Sequence, residues 1–158
     1  MKEIKLTQNK VALVDDEDFE YLNQFKWYAS KSYSTYYAVR HIRLANGKRT
    51  LTQMHRVILN VPKEMKTDHI NHESLDNRRV NLRICTDSQN AMNMNSHKNS
   101  SSRFKGVSWH KRDKKWQVRI GYKKKVKYLG YSLSENEASL IYDKKAIELF
   151  GEFANLNN

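Results

Sequence analysis

The chain has 158 residues, with 29 Lys+Arg against 17 Asp+Glu for a net charge of +12, and 39% of its residues are apolar. That length allows one ordinary domain or two small ones, and the single cysteine, Cys85, excludes an internal disulfide and a thiolate zinc knuckle, which fits a reducing cytoplasm. The N-terminus has no apolar leader and no apolar run reaches membrane-spanning length, so a secreted or membrane protein is not expected, while the basic balance points to nucleic acid.

In chain order, Ile4 and Leu6, then Val11 and Leu13, alternate around Gln8-Asn9-Lys10, which predicts strand, turn and strand. Asp15 or Asp16 is placed to cap a short helix to Gln24, with Phe19, Leu22 and Phe25 at helical spacing behind acids suited to a first turn. Tyr36 to Ile42 and Arg49 to Thr52 flank Asn46-Gly47, a pair favoured in two-residue hairpin turns. Met54 to Leu59 reads as a short helix that ends before the only proline, Pro62. Lys66 to Ile70 is then expected as a strand, Asn71 to Arg79 as a polar loop, Asn81 to Thr86 as a second strand, and Asp87 or Ser88 as the cap of a helix to about Asn95.

Met94 to Ser102 is polar and low in complexity, and the linker is placed at residues 97–102. Beyond it, Phe104 to His110, Trp116 to Gly121 and Lys125 to Gly130 read as three strands. A helix follows from Ser134, where Ser134-Glu135-Asn136-Glu137 has capping-box spacing; Ala138, Ile141, Tyr142, Ala146 and Leu149 form its apolar face and Gly151 ends it. The expected fold class is α+β, with accessory strands and a strand, loop, strand, helix unit in residues 1–96, then a three-stranded antiparallel sheet packed on one helix in residues 103–158. The free face of that sheet is expected to carry the basic residues. Charge divides the same way: residues 1–96 hold 15 Lys+Arg against 11 Asp+Glu, and residues 97–158 hold 14 against 6. Between Arg103 and Lys127 there are eleven basic residues and one acid, Asp113.

The segment from Thr67 to Asn90 concentrates the chemistry. His69 is a credible general base, because imidazole titrates near neutral pH and can take a proton from water attacking phosphorus. Asp68 and Asn90 would offer oxygen atoms to one divalent ion, Mg²⁺, which keeps several waters and accepts phosphate oxygens as further ligands. Neighbours on a regular strand point to opposite faces, so Asp68 and His69 can share a site only if the strand ends or twists there. Asn81 is read as holding the His69 ring in orientation through a hydrogen bond. Asn77, Arg78 and Arg79 are read as phosphate contacts, and His72 as an exposed loop histidine. Each residue taken singly also has a plain reading as a turn or surface feature.

Asp68-His69, Asn81 within Val-Asn-Leu-Arg, and Asn90 within Ser-Gln-Asn resemble the HNH endonucleases of the ββα-metal type, above all the phage homing endonucleases. Asn81 and Asn90 follow His69 by twelve and twenty-one positions, in a motif region spanning residues 54–95. The resemblance implies His69 as base, Asn81 as the residue that orients it, and Asp68 and Asn90 as ligands of Mg²⁺, with Mn²⁺ as an alternative, because the motif ends in Asn where His completes the name HNH. His55-Arg56 resembles a recurrent His-Arg pair upstream of the motif and is kept out of the catalytic set.

Residues 103–157 resemble the AP2 domain, through Phe104-Lys105-Gly106-Val107, Trp116-Gln117-Val118-Arg119-Ile120, Tyr128-Leu129-Gly130-Tyr131, Tyr142-Asp143 and the closing Gly151-Glu152-Phe153-Ala154-Asn155-Leu156-Asn157. That likeness implies a sheet in the DNA major groove. Lys105, Ser108, Trp109, Lys111, Trp116, Arg119, Lys127 and Tyr128 are then candidate contacts, with Arg103 from the same basic stretch. Lys105 and Ser108 stand where the plant pattern has arginine, so guanine readout does not transfer. The combined expectation is a cytoplasmic, phage- or prophage-encoded endonuclease acting in a bacterial host cell on double-stranded DNA, nicking one strand, as a monomer with no evident protein partner. The rivals are a catalytically inactive AP2-type DNA-binding regulator and an RNA-binding protein. For residues 1–60 the expectation is an accessory sheet that extends the DNA contact or braces the active site.

Overall fold

A computed structural model describes residues 1–33, 35–96 and 99–158. The chain divides into two compact units, Met1–Thr86 and Asp87–Asn158. The expected linker begins at His97 and Lys98, which lie outside the described residues. From Ser100 onward that stretch is tied into the second unit: Ser102 is buried, donates to Glu135 Oε1 at 2.6 Å and accepts from the Phe104 amide.

In the first unit, β1 (Lys2–Lys5) and β2 (Val11–Val14) form the expected hairpin, with Gln8 and Asn9 both at positive φ in the turn. Helix α1 (Asp16–Leu22) follows, with three acids in its first turn. A three-stranded antiparallel sheet comes next, from β3 (Tyr28–Ser32), β4 (Thr35–Arg43) and β5 (Arg49–Gln53). Strand β3 has no counterpart in the sequence reading, since Tyr-Ala-Ser-Lys-Ser carries no strong alternation. The β4–β5 connection also differs from the two-residue turn expected. Leu44 and Lys48 close it, Gly47 alone takes positive φ (79°), and its amide bonds the Leu44 carbonyl, giving a three-residue loop with glycine in the left-handed position.

Helix α2 (Met54–Ile58) leads to β6 (Lys66–His69), paired antiparallel with β7 (Leu82–Cys85). Ile4, Val14, Leu22, Trp27, Ala38, Met54, Ile58 and Leu82 make one buried apolar cluster, so the hairpin, α1, the sheet, α2 and β7 share a core.

The second unit opens with α3 (Asp87–Met92). Its sheet, in order β10-β9-β8, is made of β8 (Val107–His110), β9 (Lys115–Tyr122) and β10 (Lys125–Ser132), all antiparallel. Helix α4 (Glu135–Phe150) covers one face, and Phe104, Val107, Val118, Ile120, Ala138, Tyr142, Ala146 and Phe150 fill the space between. The Ser134 hydroxyl accepts from the Glu137 amide as the capping signal predicts. Gly106 is required by contact as well as conformation: φ is +75°, and a Cβ there would stand 2.1 Å from the Tyr142 ring and 2.6 Å from the Arg119 carbonyl. The whole is mixed α+β, with four small antiparallel sheets and few helices among the described residues.

Candidate active site

Strand β6 ends at His69, and the chain turns at once: the His72 amide bonds the His69 carbonyl, and exposed His72 takes φ +65°. Asp68 and His69 are both buried, at 6% and 8% exposure. Asp68 pairs across the ladder with Arg83, whose Nε and Nη2 donate to its Oδ2 at 2.8 and 2.6 Å. The His69 ring meets His55 edge to face, centroids 4.9 Å apart, and the Tyr37 ring lies 5.8 Å from His55 and 6.2 Å from His69.

Burial pushes the His69 imidazole below the ordinary histidine pKa, against hydrogen bonding with the Asn77 side chain and the charges of Asp68 and Asp76. Burial acts harder on His55, holding its pKa down at about 3, with His69 and Arg56 adding to the effect. Both rings are therefore neutral at pH 7. His55 Nε2 lies 3.1 Å from Gln53 Oε1, an oxygen that can only accept, so Nε2 carries the proton and Nδ1 is bare. That Nδ1 is buried with no hydrogen-bond partner.

Asn81 bonds the loop beyond His69. Its Oδ1 accepts from the Asn71 amide at 2.9 Å, its Nδ2 donates to the Asp76 carbonyl at 2.8 Å, and its own carbonyl accepts from the Ile70 amide. Both ends of the side-chain amide thus clamp the loop 70–78 that follows His69. Asn77, expected on phosphate, is instead fully buried, and its Nδ2 donates to the Leu75 carbonyl at 3.2 Å. Arg78 and Arg79 are each engaged by carboxylates. Arg78 forks to Asp76 with two 2.7 Å bonds and holds that carboxyl below the usual range. Arg79 forks to Asp18 at 2.8 and 2.7 Å, pairs with Glu17 at 2.9 Å, and gives its amide to Asp15.

The N-terminal elements brace this loop. The Leu13 amide bonds the Leu75 carbonyl and the Asn77 amide bonds the Leu13 carbonyl, so the loop runs as an extra, parallel edge on β2. The Ser74 hydroxyl donates to the Tyr36 carbonyl and bonds Thr35 Oγ1. These bonds tie β2 and β4 to the loop that follows His69.

Asn90 sits half-buried on α3, in the second unit. The expected DNA contacts there separate by strand parity. Val107, Val118 and Ile120 face α4, so their register partners and i±2 neighbours do too. Trp109 and Trp116, stacked edge to face at 5.0 Å, and Lys127 therefore lie on the helix side. The open face carries Ser108, Arg119 and Tyr128, together with His110, Gln117 and Tyr131, which sequence reasoning passed over although alternation from Val118 marks them. Tyr131 joins this group through ring contacts with His110 at 5.4 Å and Tyr128 at 5.3 Å and a hydrogen bond from Gln117. Lys111 is exposed just beyond β8, and Arg103 lies over the Phe104 ring at 4.6 Å. Lys105 is turned inward, its Nζ on the Met92 carbonyl, and burial lowers its pKa to about 8. The free face is thus aromatic and polar with few basic residues, rather than the basic surface expected.

The first unit thus presents a buried Asp-His pair at a strand end, followed by a clamped loop and a second strand. Residues 60–92 match the HNH endonuclease family. Over 152 residues the chain is 34% identical to an uncharacterized HNH endonuclease of Acanthamoeba polyphaga mimivirus, covering 90% of this chain and 72% of that protein. It is 30% identical over 130 residues to Protein 3.8 of Escherichia phage T7, covering 78% of this chain and 96% of that protein. No solved structure matches it. The chain belongs to the HNH endonuclease family and is a DNA nuclease, and nucleases of this family work with a divalent metal. Among the described residues, no helix is long and apolar enough to cross a membrane.

Proposed function

We propose that this protein is a Mg²⁺-dependent, homing-type endonuclease that nicks one strand of duplex DNA in the cytoplasm of an infected cell, with His69 as general base. The observation that carries this reading is the buried His69 at the end of β6, next to Asp68 and held neutral by burial. A neutral imidazole can accept the proton of the attacking water as oxygen bonds to phosphorus; the bond to the 3′ oxygen then breaks, and that oxygen takes a proton from solvent, leaving a 5′ phosphate and a 3′ hydroxyl. Asn77 and His55 flank the ring, and Asn81 fixes the loop that carries Asn77.

The donor chemistry fits Mg²⁺. No group of three or more His, Cys, Asp or Glu side chains among the described residues makes a metal cage. A hard ion that keeps its waters needs only one or two protein oxygens, and Asp68 with Asn90 would supply them. When bound, the ion supplies neutralisation of charge on the phosphate and the leaving oxygen. Arg83 holds the Asp68 carboxylate in a fixed orientation.

The second unit is the DNA-positioning module of AP2 type in this reading, and the open face with Ser108, Arg119, Tyr128 and Tyr131 supports it. One active site per monomeric chain favours a nick over a double-strand cut. The test is incubation with supercoiled DNA containing a bound site, in Mg²⁺, beside EDTA and His69→Ala. Metal-dependent nicking that falls at least about a hundredfold in His69→Ala, with DNA affinity retained, is the expected result. Linear product without a nicked precursor would contradict nicking, and binding without any cleavage would support the regulator.

A further inference from the structure

Helix α3 is six residues long, too short to persist without outside support, and it carries Asn90. Two fastenings at its C-terminal end lie within the second unit, and Lys105 supplies one of them. Its backbone is fixed on both sides by Asn157, whose Oδ1 accepts from the Lys105 amide at 2.6 Å and whose Nδ2 donates to the Lys105 carbonyl at 3.2 Å. Asn157 is held in turn by the buried Asp143 of α4, through its amide at 2.8 Å and its Nδ2 at 3.0 Å. From that fixed position Lys105 Nζ donates to the carbonyl of Met92, the last residue of α3 and the last residue of the family match. A helix has no partner of its own for that carbonyl, and its C-terminus favours a cation. The Met92 side chain packs against the α4-side core. Asn155 adds a second tie, its Nδ2 donating to the Met94 carbonyl at 3.2 Å and to Asn95 Oδ1 at 2.8 Å.

We infer that Lys105 is a positioning residue of the nuclease rather than a DNA contact: with Asn155 it pins the helix that presents Asn90. The half-burial of Lys105, with its ammonium on the Met92 carbonyl, agrees with this. The consequence for metal binding rests on the proposed role of Asn90 as a ligand.

The experiment uses the full chain and compares Lys105→Met, Lys105→Arg, Asn155→Ala and Asn90→Ala. Amide hydrogen exchange in metal-free protein is read over residues 87–94, Mn²⁺ is titrated into the nicking reaction, and DNA affinity is followed against salt. In Lys105→Met, exchange over 87–94 should rise while β8–β10 stay protected, and the Mn²⁺ requirement should rise about tenfold, the lower end for loss of a residue that orients a ligand. DNA affinity and its salt slope should not change. Lys105→Arg should recover most of the loss, and Asn155→Ala should show a smaller version of it. Unchanged exchange over 87–94 in both Lys105→Met and Asn155→Ala would overturn the inference. So would a lower DNA affinity in Lys105→Met with a salt slope smaller by about one, the mark of a lost phosphate contact. If Asn90→Ala leaves the Mn²⁺ requirement unchanged while Lys105→Met still loosens α3, the ligand assignment fails and the pinning stands.

Discussion

His55 shows how a single side chain can set conditions for its neighbours. Its pKa is about 3 in the folded protein against an ordinary 6.5, so the unfolded chain takes up the proton first on acidification. The stability that a neutral His55 contributes is complete above pH 6.5 and is lost as pH falls from 6.5 toward 3. Between pH 7 and pH 5, above the carboxylate range, this one group should cost about 2 kcal/mol. Urea unfolding followed by the fluorescence of buried Trp27 should show that loss, and His55→Gln should remove most of it, leaving the smaller contribution in the same direction from His69. A wild-type stability flat over that interval would mean that His55 is protonated in the folded state.

Among the elements, the β8–β9–β10 sheet and α4 depend on close approach at Gly106. Alanine there combines a left-handed backbone with a Cβ 2.1 Å from the Tyr142 ring and 2.6 Å from the Arg119 carbonyl, and backbone cannot yield as a flexible side chain would. Gly106→Ala should destabilise the second unit by more than about 3 kcal/mol. Thermal unfolding monitored by amide exchange should show β8–β10 and α4 losing protection together, while β1 to β7, which have their own core, keep theirs. If protection in β8–β10 survives, the contact is looser than the geometry states.

At the scale of the whole molecule, charge and division into units act together. The first unit carries 15 Lys+Arg against 10 Asp+Glu and the second 14 against 7, so both are basic and both would be drawn to DNA. Part of that charge is internally paired: Arg78, Arg79 and Arg83 each fork onto a carboxylate. Affinity for duplex DNA should fall steeply with salt, with a slope well below what 29 basic residues would give. Arg119→Ala, on the open face of β9, should weaken binding and reduce the slope by about one. No change in slope would place that face away from phosphate.

What could be read from residues alone is what depends on near neighbours. Alternation marked most of the strands, the acids after Asp15 and the Ser134 cap marked two helix starts, and the order Asp68, His69, Asn81, Asn90 marked the family. These signals are local because helices, turns and motif spacings are decided within a few residues. Tertiary structure decided the partners. Arg79 meets Asp18 from sixty-one positions away, Lys105 is locked by Asn157 from fifty-two, and His55 reaches His69 across α2 and the chain that follows it. No pattern along the chain encodes which carboxylate will neutralise an arginine, or whether a lysine in a basic stretch turns inward to close a helix. Those choices are made when burial forces each polar group to find a partner, and that happens only once the two cores have formed.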